Sequence, residues 1–157
     1  MQVSRFTLIF AALTAVFTFA LMAMPRFALT ELPPLKATIM APPESLVVDA
    51  SIPEYKGVSI EKGETFGMEI TDEPWVIADE ATYMQEDEQY LFKRFVKRTP
   101  DLIVFEFTEN DKQGFSFVAN VRAGGKTFAC SVLKKPTLYT LEQVETMVES
   151  CLSIKLK

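Results

Sequence analysis

Histidine is absent from all 157 residues, and this absence removes more chemistry than any motif in the chain adds. Without an imidazole there is no Ser-His or Cys-His nucleophile pair, no general base that ordinarily titrates near neutrality, and no histidine-ligated metal site. Cysteine occurs only twice, too few for a four-thiolate zinc site. Basic residues are outnumbered, 16 against 21 acids, for a net charge of −5. A nucleic-acid binder needs a basic face to meet phosphates, so that class is disfavoured, and an anionic membrane surface with it.

Two short matches to catalytic motifs do not survive their context. Gly125-Lys126-Thr127 ends like a phosphate-binding loop, but Asn120 stands where the earlier glycine is required. A strand follows it, rather than a helix whose N-terminus would hold phosphate. Ser131 and Lys134 have the Ser-x-x-Lys spacing of penicillin-recognising enzymes. That spacing aligns two side chains on a helix, whereas this segment reads as a strand. No calcium-loop spacing of ligands occurs. The chain is therefore expected to carry no catalytic residues, cofactor or metal site, and not to be an enzyme.

Apolar residues make up 48% of the chain and thirteen are Phe, enough for a packed, ring-rich core. From Phe6 to Met24 nineteen consecutive residues are uncharged and mostly apolar, preceded by Arg5. This fits a secretory signal, with Thr18-Phe19-Ala20 as a small-residue cleavage site. An uncleaved anchor is the rival reading, because a spanning helix needs about 20 apolar residues. Segment 1–24 is read as one or the other, and either places the domain outside the cytoplasm, in the periplasm or secreted.

Composition then changes. Six of the nine prolines fall between Pro25 and Gly57. Proline lacks an amide donor and restricts the preceding residue, so segment 25–57 is expected to be an extended spacer. Leu46-Val47-Val48 could add an edge strand to the domain that follows.

Residues 58–157 read as a single α+β domain. Leu102–Phe107, Phe115–Arg122 and Thr127–Leu133 alternate and are joined by short turns, which predicts an antiparallel meander. Thr140 and Gln143 form a capping-box pair, and Leu141, Val144, Met147, Val148, Cys151 and Leu152 line one face of the helix they start. Cys130 and Cys151 both point into the expected interface between sheet and helix. In an exported chain they are expected to form a disulfide contributing about 3 kcal/mol. Upstream, Thr65–Ile70 alternates like a strand and Trp75-Val76-Ile77 suggests another. Residues 82–98 are expected to be helical, with Thr82 and Gln85 as a capping pair, although Tyr90–Lys97 also reads as a strand. The helices are expected on one face of the sheet.

Charge is segregated along the chain. Ten acids lie between Glu61 and Glu88 against Lys62 alone, and Lys93, Arg94, Lys97 and Arg98 follow at once. The candidate interaction surface comprises Asp79, Glu80, Glu86, Asp87, Glu88, Lys93, Arg94, Lys97 and Arg98, with Trp75 as an exposed aromatic. It would serve a basic partner or a weakly held divalent ion. The bland alternative is one solvated helix, acidic early and basic late as its dipole favours, with Trp75 in the core. Small size, missing catalytic signatures and an acidic surface together suggest a non-enzymatic module that binds a protein partner outside the cytoplasm, as inhibitors, immunity factors and envelope assembly factors do. A membrane-tethered structural envelope component is the first alternative. The second is a small carboxylate-dependent hydrolase, which requires a cleft with acids of raised pKa.

Overall fold

The computed structural model describes residues 26–86 and 91–157. The segment expected to be a signal or anchor lies outside them, as do Asp87 and Glu88. Chain order is β1 (Ala28–Leu32), a 3-10 turn (Pro33–Leu35), β2 (Ala37–Ala41), β3 (Leu46–Asp49), β4 (Gly57–Lys62), β5 (Phe66–Thr71) and α1 (Ile77–Glu86). Then follow β6 (Leu91–Thr99), β7 (Leu102–Glu109), β8 (Lys112–Ala123), β9 (Lys126–Val132), α2 (Leu141–Leu152) and β10 (Lys155–Leu156). The fold class is α+β, with every strand pair antiparallel.

The meander β7-β8-β9 is as the alternation predicts, and it sits inside a larger sheet. Seven strands run in the order β3-β4-β5-β9-β8-β7-β6, and β1, β2 and β10 form a second sheet with β2 in the middle. Successive residues of a strand point to opposite faces, and this periodicity sorts the core in two. Val58, Ile60, Met68, Ile70, Phe117, Ala119, Phe128 and Cys130 face one way and meet Val144, Met147 and Cys151 of α2 together with Leu32, Ala37 and Ile39 of the small sheet. Ile103, Phe105, Phe107 and Val118 face the other way, against Ile77 and Ala81 of α1. The helices therefore lie on opposite faces of the large sheet. The expectation of one face is corrected by the register, because Ile103 pairs with Val118, not with Phe117.

Segment 25–57 is not a spacer. Its described prolines sit at turns: Pro33 and Pro34 open the 3-10 turn, Pro42 accepts from the amide of Ser45 at 3.3 Å, and Pro53 lies in the loop before β4. Between them the chain alternates, and Leu32, Ala37, Ile39 and Ala41 are fully buried. Proline is excluded from strand interiors but not from the turns between strands. The small sheet is locked to α2, since Ser150 Oγ donates to the carbonyl of Met40 and Ser153 Oγ accepts from its amide at 2.8 Å. As expected, β3 is an edge strand, pairing with β4 alone.

The expected helix over 82–98 is also corrected. α1 ends at Glu86 within the described residues, and Thr82 sits inside it, its hydroxyl donating to the Ala78 carbonyl at 3.1 Å instead of capping a start. Leu91–Thr99 is the other edge strand, carrying register shifts between Phe92 and Arg94 and between Phe95 and Lys97. Each extra residue converts a spacing of two into three. Phe92, Phe95 and Arg98 thereby share a face opposite Phe107, Phe105 and Ile103, which imitates the helical period. Trp75 and Val76, expected in a strand, belong to the loop entering α1.

α2 starts as its sequence dictates. Gln143 N donates to Thr140 Oγ1 at 3.3 Å and Thr140 N to Gln143 Oε1 at 2.9 Å, an arrangement worth about 1 kcal/mol. The Cys130–Cys151 disulfide is formed, with Cα atoms 6.3 Å apart. It staples β9 to α2 inside the main core, and such bonds persist in oxidising compartments.

Candidate functional site

α1 packs chiefly on the β6-β7-β8 end of its face of the large sheet. On the uncovered part, the residues alternating with the core are polar: Ser59, Glu69 and Ser131 stand in register on β4, β5 and β9. Between this open surface and the N-terminal end of α1 lies a groove of about 440 Å³. Its principal walls are Tyr55, Glu69, Glu73, Trp75, Asp79 and Glu80.

The loop that builds the groove is pinned throughout. Lys56 and Asp72 hold each other, the Asp72 amide donating to the Lys56 carbonyl at 3.0 Å and the Lys56 amide to Asp72 Oδ1 at 2.8 Å. Thr71 Oγ1 donates to the Glu73 carbonyl at 3.1 Å. Asn120 of β8 then takes both backbone groups of Trp75, donating to its carbonyl at 2.8 Å and accepting from its amide at 3.0 Å. The Val76 carbonyl accepts from the amides of Asp79 and Glu80, which opens α1. Trp75 remains 38% exposed.

Electrostatically the groove is one-sided. Glu69, Glu73, Asp79 and Glu80 line it and no Lys or Arg does. Among the described residues none of these four carboxylates forms an ion pair. Asp79 and Glu80 gain from the positive end of α1. Even so, partial burial, and then the Asp79 charge, hold the Glu80 carboxyl above its ordinary range. Among the described residues no three acids or cysteines converge closely enough to hold a metal ion.

Of the residues singled out from sequence, Trp75, Asp79 and Glu80 come together here. Glu86 ends α1, six residues and about 9 Å of helix rise from Glu80. Lys93, Arg94, Lys97 and Arg98 are not on a helix with the acids. They lie on the bulged edge strand β6, where charge and bulges discourage pairing with another chain. Two of them serve the fold itself. Arg94 Nε pairs with Glu106 Oε2 at 2.7 Å, and that bond, followed by the one from Gln113, pulls the Glu106 carboxyl below its usual range. Arg98 stacks 4.9 Å above the Phe95 ring. The sequence does not single out Tyr55, Glu69 or Glu73. Glu69 was discoverable as the outward residue of an alternating strand, while nothing local marks Tyr55.

A second hollow, of about 160 Å³, lies between Met84, Phe105, Phe107 and Leu138. It is smaller than a typical ligand site, and its wall mixes core rings with Glu109, Lys134 and Lys135.

Neither family models, curated proteins nor solved structures contain a match to this chain. The fold and the groove define an α+β domain with a one-sided acidic depression, and among the described residues no helix is long and apolar enough to cross a membrane.

Proposed function

We propose that this chain is an exported, non-enzymatic binding module that docks a basic protein partner in the groove between α1 and the open face of the large sheet. One observation carries the reading: four carboxylates, none of them ion-paired among the described residues, line a groove with a partly exposed tryptophan whose backbone is clamped by Asn120. Exposed aromatics on a fixed backbone are favoured interface anchors, and unpaired charge of one sign selects and steers a partner of the other. Export is supported by the N-terminal apolar run and the disulfide.

The test is capture from the extracytoplasmic fraction with the oxidised protein, alongside Trp75→Ala and the triple variant Glu73→Gln, Asp79→Asn, Glu80→Gln. A near-stoichiometric partner held by the wild type and lost from both variants is expected. Capture unaffected by either variant would remove the groove from the interface, and capture of nothing would contradict the binding-module reading.

The raised Glu80 carboxyl beside Asp79 keeps one competing reading, a carboxylate-dependent hydrolase, in play. Turnover abolished by Glu80→Gln would decide for it. Tethering, were the apolar segment retained, would differ from the long reach expected of a spacer. β1 begins at Ala28, four residues after the apolar run ends at Met24, so a retained anchor would hold the domain near the bilayer surface rather than at the end of a long reach. Retention in carbonate-washed membranes would favour the tethered form over the free one.

A further inference from the structure

We propose that the groove selects an arginine side chain carried on an extended segment of the partner, an inference that rests on the docking reading above. The occupant follows from charge and shape together. The groove has mixed walls: Tyr55, Pro74, Trp75 and Val76 offer apolar and ring surface, and Glu69, Glu73, Asp79 and Glu80 supply the charge. A compact hydrated ammonium would satisfy the carboxylates but gain little from the rings. A guanidinium does both, because it is planar, weakly hydrated, stacks on aromatic faces and presents a fork of donors to carboxylates. Trp is the strongest ring for such a contact, and the Trp75 backbone is held by Asn120.

An extended segment fits because a second hollow meets the groove at Tyr55. Tyr55 also lines an adjoining hollow of about 550 Å³, together with Pro33, Pro34, Ile52 and Pro53. That neighbour is mixed in charge, with Lys36 and Lys56 beside Asp49, Glu54 and Asp72. The demand for a cation is thus confined to the first hollow, and the residues flanking the arginine pass over Tyr55 into the second without a charge requirement.

Trp75 is the only tryptophan in the chain, so its emission reports on the site directly. The oxidised full chain is titrated with the blocked tripeptide acetyl-Ala-Arg-Ala-amide and with its lysine and citrulline counterparts. Citrulline keeps the shape and removes the charge. A saturable change with the arginine peptide, about tenfold weaker binding of lysine, and no response to citrulline are expected. Glu73→Gln, Asp79→Asn, Glu80→Gln should lose the arginine response while keeping the wild-type circular dichroism and melting temperature. Should that variant misfold, Glu73→Gln alone should still weaken the arginine response, and an unchanged response would count against the proposal. Equal binding of citrulline or of lysine, or no response to arginine, would overturn arginine selection. If partner capture still depends on Trp75 in that case, the docking reading stands. Capture indifferent to Trp75 would overturn the docking reading itself.

Discussion

Asn120 and Trp75 are 45 residues apart in sequence, yet the Asn120 side-chain amide closes two hydrogen bonds on the Trp75 backbone, at 2.8 and 3.0 Å. A central strand of the large sheet thereby sets the position of the groove's exposed aromatic. Asn120→Ala removes both bonds and should cost about 1–2 kcal/mol in urea unfolding. The Trp75 emission should also move to the red as the loop loosens. Unchanged emission would show that the loop holds its place without the clamp.

The small sheet supplies a test of the domain boundary. Ile39 is fully buried on β2, whereas Leu29 on the neighbouring β1 is 69% exposed. Ile39→Ala should therefore cost about 2–5 kcal/mol, and Leu29→Ala no more than about 0.5 kcal/mol. Urea denaturation of the two variants measures this. Neutral effects at both positions would return residues 25–57 to the status of a tail.

Reduction should destabilise the domain without abolishing its sheet. Cys130 and Cys151 close a loop with a sequence separation of 21, for which loop-closure entropy gives about 3 kcal/mol. The midpoints of urea unfolding with and without reductant report the difference. A mass unchanged by reduction would show that the bond is not present in the isolated protein.

Alkaline stability should depend on Tyr139. Its hydroxyl donates to the Leu133 carbonyl at 3.1 Å, and burial, then the charges of Glu61 and Glu64, push its pKa up from 10.0 to about 12. Between those values the unfolded chain loses the phenolic proton while the folded chain keeps it, so stability falls as pH rises. Tyr139→Phe should flatten that decline. An equally steep loss of stability between pH 10 and pH 12 in the variant would assign the effect to another group.

What could be read from sequence was what is local. The capping pair Thr140 and Gln143 and the alternation of Leu102–Phe107 act over a few residues, and both appear in the structure as read. β6 was ambiguous for a physical reason, since its two bulges give Phe92 and Phe95 the spacing of a helix face. β1 and β2 are masked in the sequence by proline density, because the described prolines around them fall between strands rather than within them. The groove lay beyond local reading altogether. It joins a loop residue, Tyr55, to strand residues Glu69 and Ser131 and to the start of α1, and in the linear chain Glu69 and Glu73 look like the rest of the acidic run. The register of β5 on β9 sets Glu69 beside Ser131, and register is a property of the folded sheet.

The most direct test of the account is hydrogen exchange on the captured complex, measured against the free protein. Docking in the groove predicts added protection across residues 69–80, around Tyr55 and at Ser131, with β6 unchanged. Protection concentrated on Leu91–Thr99, with the groove still exchanging freely, would contradict it and place the partner on the basic edge strand.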